Sequence, residues 1–190
     1  MKKFHRIRST IARPAVATAY AVGDEVSNSA TASAVSRMTF DLTGLKNVRI
    51  LSSHLEVTAA SGNVVTTNLL FEVLLYRTDE VPAAVGDNVT NPLTSLERAT
   101  AVGFFHYDDG GWWGPTGQAG AGGSQAQGVG AHMVQPTATP TLITLYPAGY
   151  IFNMDDVDTK SLTAVVRAMG AWTPGAIINT LGLTLHIEAE

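Results

Sequence analysis

The chain has 190 residues, of which 45% are hydrophobic and only 15% charged. That apolar fraction excludes general disorder, no run reaches the ~18 apolar residues of a membrane-spanning helix, and the lack of cysteine excludes disulfides, thiolate metal sites and a cysteine nucleophile. The net charge of −4 hides an asymmetry: residues 1–22 carry Lys2, Lys3, Arg6, Arg8 and Arg13 and no acid, whereas the other seven bases and sixteen acids leave the remainder at −9.

The elements follow in chain order. Residues 1–13 read as a basic arm, an interaction tail set apart from an acidic body. They do not read as an export signal, because Arg6, Arg8, Arg13 and Pro14 interrupt the apolar stretch such a signal requires. From Pro14 to Val22 small alanines alternate with Val16, Thr18, Tyr20 and Val22, a weak strand. Arg37 to Leu42 places Met38, Phe40 and Leu42 on one face, and Val48 to Thr58 predicts a strand with Leu51, Leu55 and Val57 on its core row. Ser61-Gly62-Asn63 then has hairpin spacing, leading into Val64 to Arg77 with Val65, Thr67, Leu69, Phe71, Val73 and Leu75 inward. A helical turn fits Asn91 to Glu97, with Pro92 in a first helical position. Arg98–Tyr107, Thr141–Tyr146, Tyr150–Met154 and Leu162–Met169 read as further strands. Thr180 to Glu188 gives the cleanest alternation, with Leu181, Leu183, Leu185 and Ile187 on one side. Leu42-Thr43-Gly44, Pro147-Ala148-Gly149 and Thr173-Pro174-Gly175 separate the strands. About nine strands with polar outer faces predict an all-β, antiparallel β-sandwich, jelly-roll-like, occupying residues 14–190 as a single domain behind the arm.

Residues 108–140 break this rhythm. Trp112 and Trp113 head a Gly, Ala, Gln and Ser run, which reads as one long loop. Tryptophans are enriched at the energetic centres of interfaces, so Trp112 and Trp113 are expected at a subunit interface.

Little in the sequence points to catalysis. The histidines at 5, 54, 106, 132 and 186 show no ligand spacing; only His54, His106 and His186, on separate strands, could converge as in a cupin-like metal site. Asp155-Asp156-Val157-Asp158 lacks the glycine turn and later glutamate of a calcium loop. Asn88 starts an Asn-x-Thr sequon, which marks no more than a surface loop. No nucleophile elbow, phosphate loop or His-Glu-x-x-His is present. The expectation is a non-enzyme without cofactor or metal, whose uncharged outer residues suit broad protein contacts.

Several segments also carry a resemblance. Ala19 to Val26 leads through a small-residue loop into Met38-Thr39-Phe40-Asp41-Leu42. Leu69 to Leu75 continues as Tyr76-Arg77-Thr78, Val81-Pro82-Ala83 and Gly86-Asp87-Asn88. Leu162 to Val166 and Leu183 to Ile187 close the chain. This pattern resembles the small head decoration, or cement, proteins of tailed bacteriophages. The resemblance implies a jelly-roll-like sandwich, commonly a homotrimer, on the outer capsid surface where shell subunits meet. The expected partners are therefore the major capsid protein and further copies of the chain, with neither membrane nor nucleic acid. The arm, through Lys2, Lys3, Arg6, Arg8 and Arg13, is expected to touch the shell or a neighbour. Alternatives are a fibre or tail component of the same virus, a carbohydrate-binding module using Trp112, Trp113 or Trp172, and a cupin-like enzyme.

Overall fold

The computed structural model describes residues 1–59, 70–107, 160–174 and 179–190. It also describes the backbone of short strands at 112–113, 125–130, 133–135, 144–146 and 151–152. In chain order the elements are β1 (Lys3–Arg13), a 3-10 turn (Ala32–Ala34), β2 (Met38–Asp41), β3 (Val48–Ala59), β4 (Phe71–Arg77), α1 (Ser95–Thr100) and β5 (Gly103–Tyr107). There follow β6 (Trp112–Trp113), β7 (Gln125–Gly130), β8 (Met133–Gln135), β9 (Thr144–Tyr146), β10 (Ile151–Phe152), β11 (Ser161–Ala168) and β12 (Asn179–Ala189). They form two antiparallel sheets. One is ordered β1-β12-β3-β7-β6, with β10 also on β3; the other is ordered β2-β11-β4-β5-β8-β9. The chain is thus an all-β, jelly-roll-like sandwich.

The core lies between the sheets. Leu55, Val57, Leu181, Leu183, Leu185 and Ile187 meet Phe40, Phe71, Val73, Leu75, Phe105, Leu162 and Val166. Burying each such side chain stabilises the fold by roughly 1.5–3 kcal/mol. The Ser53 hydroxyl hydrogen-bonds the Tyr107 hydroxyl across the two layers, so neither buried polar group is left without a partner. β4 is buried on both faces. Leu74 and Tyr76 point away from the main core into a second cluster with Ala101, Phe104 and Val165, which Val81 and Leu93 cover.

Four expectations change. First, residues 1–13 do not stand apart from the sandwich: β1 pairs with β12 over its whole length, from Lys3↔Ala189 to Arg13↔Asn179. Ile7 and Ile11 fall on the same alternation as the apolar row of β12 and join the core, which ties the segment down. Second, the described parts of 108–140 include strands β6, β7 and β8. β7 runs beside β3 from Thr58↔Gln125 to Ser53↔Gly130, and it satisfies backbone groups that β3 would otherwise leave open on that edge. Residues 114–124 and 136–140 lie outside the described residues, as do the Ser61-Gly62-Asn63 hairpin, the Val65–Leu69 part of the apolar row, Pro147-Ala148-Gly149 and Asp155–Asp158. Third, β3 contains a bulge. His186 faces Ser52 but Ile187 faces Ile50, so Leu51 is the extra residue. The bulge shifts the alternation, and Ile50 takes the buried place expected for Leu51. Fourth, 14–22 forms no strand; only a Tyr20↔Trp172 bridge remains. Pro14 brings no N–H, and the alanines there have too little apolar surface to hold a ladder.

Candidate interaction surfaces

β1 presents its even-numbered residues outward. Phe4 is 76% exposed, and Arg6 and Arg8 are exposed beside it. Lys2 and Lys3 are exposed at the strand's start. Two of these cations find acids on their own sheet: Lys2 Nζ lies 3.1 Å from Glu188 Oε2, and Arg8 Nη2 lies 2.9 Å from Glu56 Oε2. Arg8 reaches β3 by crossing β12 directly over Gly182, where a Cβ would sit 2.7 Å from Nη2. Lys3 and Arg6 make no ion pair among the described residues. The far side of β1 pairs with no strand among them either, although Ser9 Oγ accepts from the Thr39 amide of β2 at 3.2 Å.

Arg13 departs from the expectation for the arm. Its side chain is fully buried, because β1 turns it inward at the sandwich end. Both Nη atoms donate to the Val16 carbonyl, at 3.0 and 2.9 Å, and Nη1 lies 3.7 Å from Asp87 Oδ2. The guanidinium sits 5.7 Å from the Tyr20 ring centroid and 5.6 Å from that of Trp172. Those two rings stack at 4.9 Å. Trp172, named above as a sugar-binding aromatic, is therefore a core residue. For Trp112 and Trp113 the described structure gives only the β6 backbone, paired with β7 at Gly128 and Gln127; their rings lie outside it.

Around Arg13 the loops of residues 14–37 and 81–92 pack together, and residues 23–26 run along the stretch of β11 that β2 leaves unpaired. Gly23 and Val26 amides donate to the Ala168 and Val166 carbonyls, and the Ala168 amide donates back to Asp24. Only four charged residues occur in these two segments, Asp24, Glu25, Arg37 and Asp87, and all four side chains turn inward. Glu25 binds the Arg37 guanidinium with both carboxylate oxygens at 2.8 Å and accepts from Asn91 Nδ2 at 2.8 Å. Asp24 accepts from the Ala21 amide and the Thr90 hydroxyl at 2.7 and 2.8 Å. Asp87 accepts from the Tyr20 hydroxyl at 2.6 Å and the Ser27 amide at 2.9 Å. Burial pushes the pKa of Asp87 above the usual carboxylate range, outweighing Tyr20, Ser27 and Arg13. Burial, reinforced by Asp87, pushes the Tyr20 hydroxyl up as well. What the loops expose is Ala15, Val16, Ala17, Thr18, Ala19, Ala21 and Val22, together with Ala30–Ala34, Ser36, Ala83, Val89, Thr90 and Pro92.

A third polar group sits on the outer face of β4. Glu72 receives Arg98 at 3.1 and 3.2 Å, Arg167 at 2.8 Å, and has His106 Nε2 at 3.6 Å. Burial pushes its pKa up, but His106 and the two arginines prevail and hold it at about 2. His106 thus lies on the outside of one sheet. His54 and His186 lie on the outside of the other, with His186 Nδ1 3.0 Å from Ser52 Oγ. The three do not converge, and the described residues hold no cluster of three metal-capable side chains. His5 lies on β1, and His132 is outside the described residues.

The sequence reading missed the inward network of Tyr20, Asp24, Glu25, Arg37, Asp87 and Arg167. A signal was present, since Asp24-Glu25 and Asp87 stand alone in long neutral stretches.

No protein-family model and no curated protein matches the chain. Among solved structures, the chain is similar to the decameric BFDV capsid protein, at 12% identity and TM-score 0.39, with 100% of both chains covered. It is similar to the acid-stable capsid of Helicobacter pylori bacteriophage KHP30, at 12% identity and TM-score 0.30, over 100% of this chain and 99% of that one. It is also similar to Cocksfoot mottle virus, at 13% identity and TM-score 0.29, over 100% and 94%.

Proposed function

We propose that the protein is a virion structural protein, a decoration or cement protein of a tailed-phage head. In this reading it binds the outer surface of the shell, contacts the major capsid protein and other copies of itself, commonly as a homotrimer, and catalyses nothing. The observation that carries the reading is the outward face of β1. Arg6 and Arg8 stand exposed on a long strand fixed at every position to β12, with Lys2 and Lys3 exposed at its start, while the rest of the chain is acidic. A rigid row of cations suits an acidic shell surface, and being already ordered it loses little entropy on docking. The resemblance noted in the sequence points to the same role. Arg13, being buried, serves this surface only by anchoring the end of the strand.

Deleting residues 1–13 would remove a whole strand and half-open the core, so it cannot test the contact. Reversing Lys3→Glu and Arg6→Glu together alters only exposed side chains. The purified chain is expected to co-sediment with undecorated tailed-phage shells and to appear on their outer face by electron cryo-microscopy. The double variant, folded by circular dichroism, is expected to bind at least about tenfold more weakly at matched salt. Equal binding by both chains would remove β1 from the contact, and density at tail positions alone would favour a fibre or tail role.

A further inference from the structure

The loop cluster of residues 14–37 and 81–92 places its charges opposite to the usual arrangement. A solvent-facing surface carries roughly 25–35% charged residues, because there they are solvated at no cost. Taking a charge out of water costs several kcal/mol per ion, even when a partner recovers part of it. Here every charged side chain of both segments is turned inward and bonded, and the surface is left to alanine, valine, threonine and serine. Val22 is 61% exposed and Val89 43% exposed. The segments are held together as one platform. The Glu25 amide donates to the Val89 carbonyl, the Asp87 amide donates to the Ser29 carbonyl, and Arg37 Nη2 donates to the Ala83 carbonyl at 3.3 Å.

We infer that this neutral platform is a contact between copies of the chain. It deepens the assembly role proposed above by naming the surface used for self-contact. Charge selects the occupant. Copies with a net charge of −4 repel one another, and they meet at least cost where neither presents charge. A nucleic acid, an anionic membrane or a strongly charged protein would find no pairing partner on this surface. A second platform matches it in polarity and in the small size of its side chains, which allow close backbone approach. The inward ion pairs fix the loops before contact, so association orders little new chain.

The test is the oligomeric state of the isolated full-length chain, with no shell present. Sedimentation velocity is expected to show reversible self-association that persists between about 0.15 and 1 M salt, where charge-mediated contacts are screened. Val22→Asp and, separately, Val89→Asp each place like charges against each other and are expected to weaken it at least about tenfold. The neutral exchange Val22→Thr is expected to leave it intact, and so is the Lys3→Glu, Arg6→Glu pair. A chain that stays monomeric at all concentrations would overturn the inference, as would self-association unaffected by both aspartates. The shell-binding experiment would stand in either case, because it reads the opposite surface type.

Discussion

The outer face of β1 and the loop cluster beside β11 use the same kinds of residue in opposite ways. Along β1 the arginines at 6 and 8 point into solvent, yet at Arg13 the same strand turns its cation wholly inward. In the loops Arg37 follows the pattern of Arg13, and the acids at 24, 25 and 87 are buried with them. The difference shows that charge in this chain is divided by position: exposed where it can attract, buried where it ties segments together and leaves a neutral surface. An exposed ion pair is worth ~0–1 kcal/mol, whereas stripping one partner from a buried pair costs roughly 3–5 kcal/mol.

Arg13→Ala should therefore have the largest effect, a loss of about 3–5 kcal/mol at pH 7 by denaturant unfolding, against ~0.5 kcal/mol or less for Arg6→Ala. The sign of its pH dependence follows from Asp87. A carboxyl raised above its unfolded value favours the protonated fold, so that contribution is full below the unfolded value and lost as pH rises through the raised one. The Arg13→Ala deficit should shrink as unfolding is repeated at successively lower pH, down through the raised Asp87 value, where that carboxyl takes up its proton. A similar loss for Arg6→Ala and Arg13→Ala would erase the contrast.

Glu72 sharpens it by separating burial from pairing. It is as buried as Asp87, yet Arg98, Arg167 and His106 hold its pKa at about 2 rather than above the carboxylate range. Its contribution is present above pH 4.5, the ordinary glutamate value, and is lost as pH falls through about 2. Glu72→Gln should cost on the order of 3 kcal/mol at neutral pH and flatten the acid limb of the stability curve. An unchanged acid limb would mean that the two arginines do not hold this carboxylate.

Two glycines give the smaller contrasts. Gly86, at φ +108, belongs to the loop cluster, and a Cβ there would lie 2.6 Å from the Ala30 carbonyl oxygen. Backbone must move, so Gly86→Ala should cost about 2 kcal/mol in thermal or chemical unfolding. Gly182 lies under Arg8, where a Cβ meets only the tip of a flexible side chain. Gly182→Ala should displace Arg8 from Glu56 at a cost below ~1 kcal/mol. Equal costs would show that the loops are no more rigid than the β1 face.

Much of the fold was legible because one face of each long strand is apolar. Leu181, Leu183, Leu185 and Ile187 named β12, and Met38 and Phe40 named β2, within a residue or two of their ends. The misreadings have local causes. The bulge at Leu51 carries no mark in the sequence, since any residue can be the inserted one. Five cations between positions 2 and 13 outweighed Ile7 and Ile11, whose alternation was the sign of a strand. Thr94 and Glu97 form a capping box, in which each side chain bonds the other's backbone amide, and this starts α1 at Ser95 in place of the expected turn at Asn91 and an early β5. The isolated acids at 24, 25 and 87 marked the inward ion network, but its pairings were not legible because the partners are distant in sequence: Arg13 and Asp87, or Glu72 and Arg167, meet only once the sheets have formed.

The central claim, two contact surfaces of opposite character on one sandwich, is tested most directly by titrating salt in a mixture of the chain with undecorated shells, following both shell-bound and self-associated protein by sedimentation. Shell binding should fall steeply as screening shortens the reach of the β1 cations, while self-association of the unbound chain should hold or strengthen. Parallel loss of both, or shell binding indifferent to salt, would contradict the division of charge proposed for this molecule.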